Sequence, residues 1–252
     1  MVLSSIVNGT LILRYLKETA EIEKTETKFN ALTVLKEAYT GIPALLGNLP
    51  RSVKALGLVV GLGFVANGVS SPYWVVYVTD VVGLTNIEWG LILLFESIFK
   101  TVLTIPCGML ADRYGRSRTL SVAMVLSVFT LPSLILAKTF NHVLLIRLGA
   151  GLAGALFFPS SAALMADLVP RELRGRVMSA IGRGSVLIGA TGGGTGGPGM
   201  GYLFTVPVMV ASIVGGVLYS MNVSYPWICV LGTSIVQLLC VILFIRDPKK
   251  AE

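Results

Sequence analysis

An all-α membrane protein with six transmembrane helices is the fold class this sequence predicts, and three observations predict it. The composition is too apolar for water: 54% of the 252 residues are hydrophobic, only 13% are charged, and the mean hydropathy is +0.80. Soluble domains run near a quarter charged. Six stretches approach the roughly 20 apolar residues that a spanning helix needs. The basic residues sit mainly in the intervals between those stretches, so the net charge of +7 reads as a topology signal and not as a nucleic-acid footprint.

The elements follow in chain order. "MVLSSIVNGTLIL" is apolar but ends at Arg14, too short to span alone, and it lacks the charged start and small-residue cleavage site of a signal peptide. It reads as the tail of a helix or an interfacial segment. Residues 15–54 mix both signs of charge with Phe29, Leu32, Leu35 and Ala38 at helical spacing, which predicts an amphipathic helix on the membrane surface. Residues 1–54 are thus a helix remnant and linker, 55–246 the transmembrane domain, and 247–252 a tail. The expected spans are 55–79, 87–109, 119–137, 143–166, 203–220 and 227–245. Tyr73, Trp74, Trp89, Tyr219, Tyr225 and Trp227 fall near span ends, where interfacial anchors belong.

Charge orients the set. With the N-terminal region inside, Arg14 through Lys54, Arg113, Arg116, Arg118, the basic residues of 171–183, Arg246, Lys249 and Lys250 share one side, and Lys138 alone faces the other. The positive-inside rule then makes both termini cytoplasmic, which an even span count requires. Parity also decides the stretch between Arg171 and Ser220, where two full spans would put the basic tail outside. Residues 177–190 are therefore expected as an interfacial or partly re-entrant helix, and the glycine run at 189–201 as a flexible or tightly packed connector. That run lacks the Gly-Lys-Ser/Thr ending of a phosphate loop.

Chemistry-bearing residues are few. Cys107, Cys229 and Cys240 lie in apolar stretches without metal-ligand spacing, and His142 is the one histidine. No cofactor, metal site or enzyme activity is expected. Inside the bilayer, Glu96 and Lys100 stand four apart on one helix face, where they can pair; proton coupling, solute contact or simple self-neutralisation are the readings. Arg147 lies within the fourth span, as a further intramembrane candidate for coupling or solute contact, or bonded to a neighbouring helix carbonyl. Asn67, Ser70 and Ser71 precede Pro72 and mark a break or a hydrogen-bonded kink. Gly149, Gly151, Ala153, Gly154, Ala155, Gly215 and Gly216 suit close helix packing.

One interval concentrates charge between two spans, "GMLADRYGRSRTL". Gly108, Leu110, Asp112, Arg113, Gly115, Arg116 and Arg118 resemble the signature loop of the major facilitator superfamily, with Ser117 and Arg118 departing slightly from its usual basic ending. "LLIRLGAGLAGALFFPSSAALMADLVPRELRGRVM" is similar to the family's fourth or tenth helix and its exit motif, here Asp167, Pro170, Arg174, Gly175 and Arg176. "RYLKET", "YPWICVL" and "FIRDPKK" look like a sixth-helix end, the closing helix and the tail.

The resemblance implies the C-terminal half of a major facilitator fold, helices seven to twelve with the central loop, built from two three-helix repeats. It implies a secondary transporter or half-transporter in the cell membrane, moving an unidentified small solute by alternating access on a gradient, with a second six-helix half supplied by a copy of itself or a separate chain. It further implies a conformational latch at Gly108, Asp112, Arg113, Gly115 and Arg116. A non-transporting remnant or membrane scaffold that kept its topology signals is the rival reading.

Overall fold

The computed structural model describes residues 49–182 and 201–245, together with Gly47. The predicted surface helix at 15–54 falls largely outside the described residues, as do the glycine run up to residue 200 and the tail.

Among the described residues, six helical segments are long and apolar enough to cross a membrane. The first comprises α1 (Arg51–Ser70), a 3-10 turn at Ser71–Tyr73 and α2 (Trp74–Asp80). The second is α3 (Asn86–Tyr114). The third is α4 (Arg116–Thr130) with a 3-10 extension at Pro132–Leu136. The fourth is α5 (Phe140–Leu168), followed by the short α6 (Arg171–Ile181). The fifth joins a 3-10 turn at Tyr202–Phe204 to α7 (Thr205–Met221), and the sixth is α8 (Tyr225–Phe244).

Local signals set these ends. Thr85 and Glu88 form a reciprocal capping box at the start of α3: the Thr85 hydroxyl accepts from the Glu88 amide at 3.2 Å, and Glu88 Oε2 accepts from the Thr85 amide at 2.8 Å. Thr139 caps α5 by accepting from the His142 amide at 3.4 Å. The break before Pro72 is present, and Ser70 donates to the Ala66 carbonyl at 2.9 Å, so the local kink is the form it takes. α6 starts at Arg171, six residues before the expected 177, because Pro170 ends the preceding helix and suits a helix entry.

The packing follows one path. The second span packs on the fourth, the fourth on the third, the third on the sixth, the sixth on the first and the first on the fifth. Exchanging spans one to three for four to six leaves that path unchanged, the signature of two three-helix repeats that exchange partners. Its ends, α3 and α7, are the least buried spans, each with 17% of its apolar window inside. Ile98, Val102, Ile105 and Met109 on α3 and Met209, Ile213 and Val217 on α7 face outward.

Lipid provides no hydrophobic drive between helices, so close packing and hydrogen bonds hold the bundle. A Cβ on Gly215 would overlap the Val69 backbone, and one on Gly68 would come 3.0 Å from the Val208 carbonyl, so α1 and α7 meet backbone to backbone. The Ser212 hydroxyl donates to the Gly68 carbonyl across that seam at 3.2 Å. Gln237 on α8 is buried and donates to the Val59 carbonyl at 2.8 Å. At the end of the bundle that carries Arg51, Lys54, Arg116 and Arg118, Ser52 and Ser117 donate to the carbonyls of Phe244 and Ile245. The basic intervals thus collect at one end.

Candidate functional site: two ion pairs along the fourth span

The signature interval is mostly helix. α3 runs on through Asp112 to Tyr114, α4 begins at Arg116, and Gly115 alone turns the chain, at a φ of 102°. That conformation suits glycine, which has no Cβ to clash. Gly108 lies within α3 and not in the turn; a Cβ there would touch Pro159 of α5 at 3.7 Å, in ordinary contact.

Arg116 is the hub of the interval. Its Nε and Nη2 donate to Asp112 Oδ1 at 3.4 and 3.3 Å, and its Nη1 donates to Asp167 Oδ2 of the exit motif. A further, long contact of 3.5 Å reaches the Ala163 carbonyl. The side chains remain open to solvent, 28% for Arg116, 41% for Asp167 and 69% for Asp112. Arg174 donates to the Ala166 carbonyl, folding the start of α6 back on the end of α5. Pro170 caps α6, while Gly175 and Arg176 are exposed and Gly175 has open space around it. Arg113 is exposed and lies 5.7 Å from the Tyr114 ring.

The second cluster lies deeper. Arg147 Nη2 bonds Glu96 Oε2, and both side chains are wholly buried. Glu96 therefore takes Arg147 and not Lys100 as its ion-pair partner. The guanidinium lies 4.7 Å from the Trp74 ring centre and 5.7 Å from that of Trp89, within cation–π range. Trp74 packs on Trp89 at 6.1 Å and on Trp227 at 4.7 Å. These three tryptophans are buried, at 1%, 5% and 0% exposure, and are not the interfacial anchors their sequence positions suggested. Depth along a helix was readable; which way the ring points was not. Tyr225, at 39%, is exposed as an anchor would be.

Glu96 of α3 meets Arg147 of α5 and Gly108 meets Pro159 at one offset of 51 residues, and Arg116, at the start of α4, meets Asp167 at the same offset. α3 and α5 therefore run parallel in constant register. Gly151 makes this approach possible, since a Cβ there would stand 3.2 Å from Glu96 Cγ and 3.8 Å from Lys100 Cβ. Lys100 is half-buried, with Nζ 4.6 Å from the Phe158 ring centre. Phe158 was not singled out in the sequence, and Trp74 and Trp89 were expected only as interfacial anchors; nothing in their spacing marks the contact with a guanidinium.

The sequence profile of the Major Facilitator Superfamily matches residues 56–252. The chain belongs to the major facilitator superfamily. A quinolone resistance protein, NorA, of Staphylococcus aureus is 22% identical over 204 residues, covering 80% of this chain and 47% of the relative. A Na(+), Li(+), K(+)/H(+) antiporter of Planococcus maritimus is 32% identical over 95 residues, 36% of this chain and 22% of the relative. The chain spans about half the length of the first of these, and its six spans make one six-helix half of the superfamily fold. Within that fold, the Arg116 hub is where the superfamily's signature interval and exit motif meet.

Proposed function

We propose that this chain is one half of a secondary transporter that moves a small solute across the cell membrane by alternating access, with a second six-helix half completing the cavity. The observation that carries the reading is Arg116 bonded at once to Asp112 and Asp167. Three helix ends meet in a contact that is charge-assisted yet half-exposed, so it forms and breaks at small cost. That is the requirement for a latch. Gly115 is its turn, Gly108 the point where α3 passes α5, and Arg113 a basic anchor on the same side. Pro170, Arg174, Gly175 and Arg176 form the exit from α5 that presents Asp167.

The basic end of the bundle faces the cytoplasm in this reading, with both termini there. Residues 1–54 link to the preceding half, and 247–252 are a tail. Glu96, Lys100 and Arg147 are the intramembrane groups for coupling or solute contact. The name of one relative, an antiporter exchanging alkali cations with protons, supports a gradient as the energy source.

The test is transport in proteoliposomes, with a panel of solutes and with Asp112→Asn and Asp167→Asn as variants. Impaired transport in both, at normal abundance in the membrane, supports the latch. Unchanged transport removes it. If the chain moves no solute either alone or beside a complementary half, the scaffold reading stands instead.

A further inference from the structure

Away from the helix ends, the described spans hold three charged residues: Glu96, Lys100 and Arg147. Glu96 and Arg147 neutralise one another in a wholly buried pair beside Trp74 and Trp89. Among the described residues no carboxylate lies within ion-pair distance of Lys100 Nζ, and its recorded neighbour is the Phe158 ring at 4.6 Å. The lysine also stands at the middle of α3, fourteen residues from Asn86 and fourteen from Tyr114. At about 1.5 Å per residue that is the midpoint of a span roughly 43 Å long. Such a depth is where a solute sits in this kind of transporter.

We propose that Lys100 is the recognition point for an organic monoanion, with the negative group on Nζ and the apolar body beside the Phe158 ring. This rests on the transport reading above and names its substrate class. Arg147 does not serve the purpose, because its guanidinium is sealed from any solute and already bonded to Glu96. Lys100 is only half-buried, and its Nζ lies outside the Glu96–Arg147 pair. A cationic solute at the same point meets like charge in a medium that screens it poorly. An ionisable group inside a membrane marks a functional position by default, and here the sign of the one charge outside the ion pair selects the ligand.

The probes are radiolabelled benzoate and its cationic isostere phenyltrimethylammonium, bound to the purified chain in lipid nanodiscs. Saturable benzoate binding is expected, weakened about tenfold or more in Lys100→Gln and largely restored in Lys100→Arg, as loss of a charge-assisted contact requires. Phenyltrimethylammonium binds less well. Folding of each variant is checked by circular dichroism. A folded chain that binds no benzoate, prefers the cation, or binds benzoate equally in Lys100→Gln overturns the proposal. Benzoate bound but never moved in proteoliposomes sinks the transport reading and leaves the anion site. Transport of phenyltrimethylammonium untouched by Lys100→Gln does the reverse.

Discussion

Glu96–Arg147 and Arg116–Asp167 are the same chemical bond made twice on α5, once to α3 and once to the start of α4, 51 residues apart each time, yet they sit in opposite surroundings. The deep pair has no exposed atoms and lies against two indoles. The pair at the basic end is partly open to water and shares its arginine with Asp112. A carboxylate and a guanidinium removed from solvent cannot separate without leaving a bare charge in low dielectric, so the deep pair holds the register of α3 on α5. The same groups in water separate at little cost. One pair is suited to permanence and the other to switching.

The largest expected effect comes from breaking the deep pair. Arg147→Met leaves Glu96 buried without its partner and is expected to destabilise the chain by about 3–5 kcal/mol. A thermal melt in detergent measures it. Adding Glu96→Leu should recover most of the loss, since an apolar pair of similar volume removes both charges. Should the double variant melt no higher than the single, the deep pair contributes something beyond its mutual neutralisation.

Next comes the gap between the two pairs. Gly151→Leu forces a side chain against Glu96 and Lys100, and overpacking of this kind costs about 1–3 kcal/mol. It should separate α3 from α5 along their contact. Cysteine crosslinking between positions 108 and 159 reads the separation; an unchanged crosslinking yield would mean the register does not depend on that contact.

A smaller effect is expected at the turn. Gly115→Ala places a Cβ at a φ of 102°, at a cost of about 1–2 kcal/mol. The melt should fall modestly, and α4 should lose its angle to α3, seen as a weakened Arg116–Asp167 contact in crosslinking.

The smallest stability effect is predicted for Asp167→Asn, within about 1 kcal/mol, because a half-exposed pair contributes little. Transport should nevertheless fall, and wild-type latching should weaken with added salt. A melt displaced as far as that of Arg147→Met would erase the distinction between the two pairs.

Much of the fold was legible because spanning a membrane imposes a length and a composition that the sequence must display. All six spans lie where the apolar runs are, and the motif residues Gly108 to Arg116 and Asp167 to Arg176 were identifiable as one end of the bundle. The partner of Glu96 was not. Lys100 satisfies the helical spacing rule, whereas Arg147 lies 51 residues away and meets Glu96 only because two spans run parallel in one register. The signature interval was expected as a loop and is helix on either side of Gly115, since charged residues at a helix end and charged residues in a loop look alike in sequence.

By itself, then, the sequence determined that the chain crosses a membrane six times, which intervals carry the charge, and which family its motifs resemble. These are properties of depth and composition, and a one-dimensional string records them. The tertiary structure alone decided which way each side chain points around its helix. It turned Trp74, Trp89 and Trp227 inward, gave Glu96 to Arg147, joined Asp167 to the signature interval, and, among the described residues, left Lys100 outside the buried ion pair and beside the Phe158 ring. Azimuth on a helix depends on which neighbours it packs against, and in lipid that is settled by close packing and polar pairing between distant segments, not by how apolar each segment is.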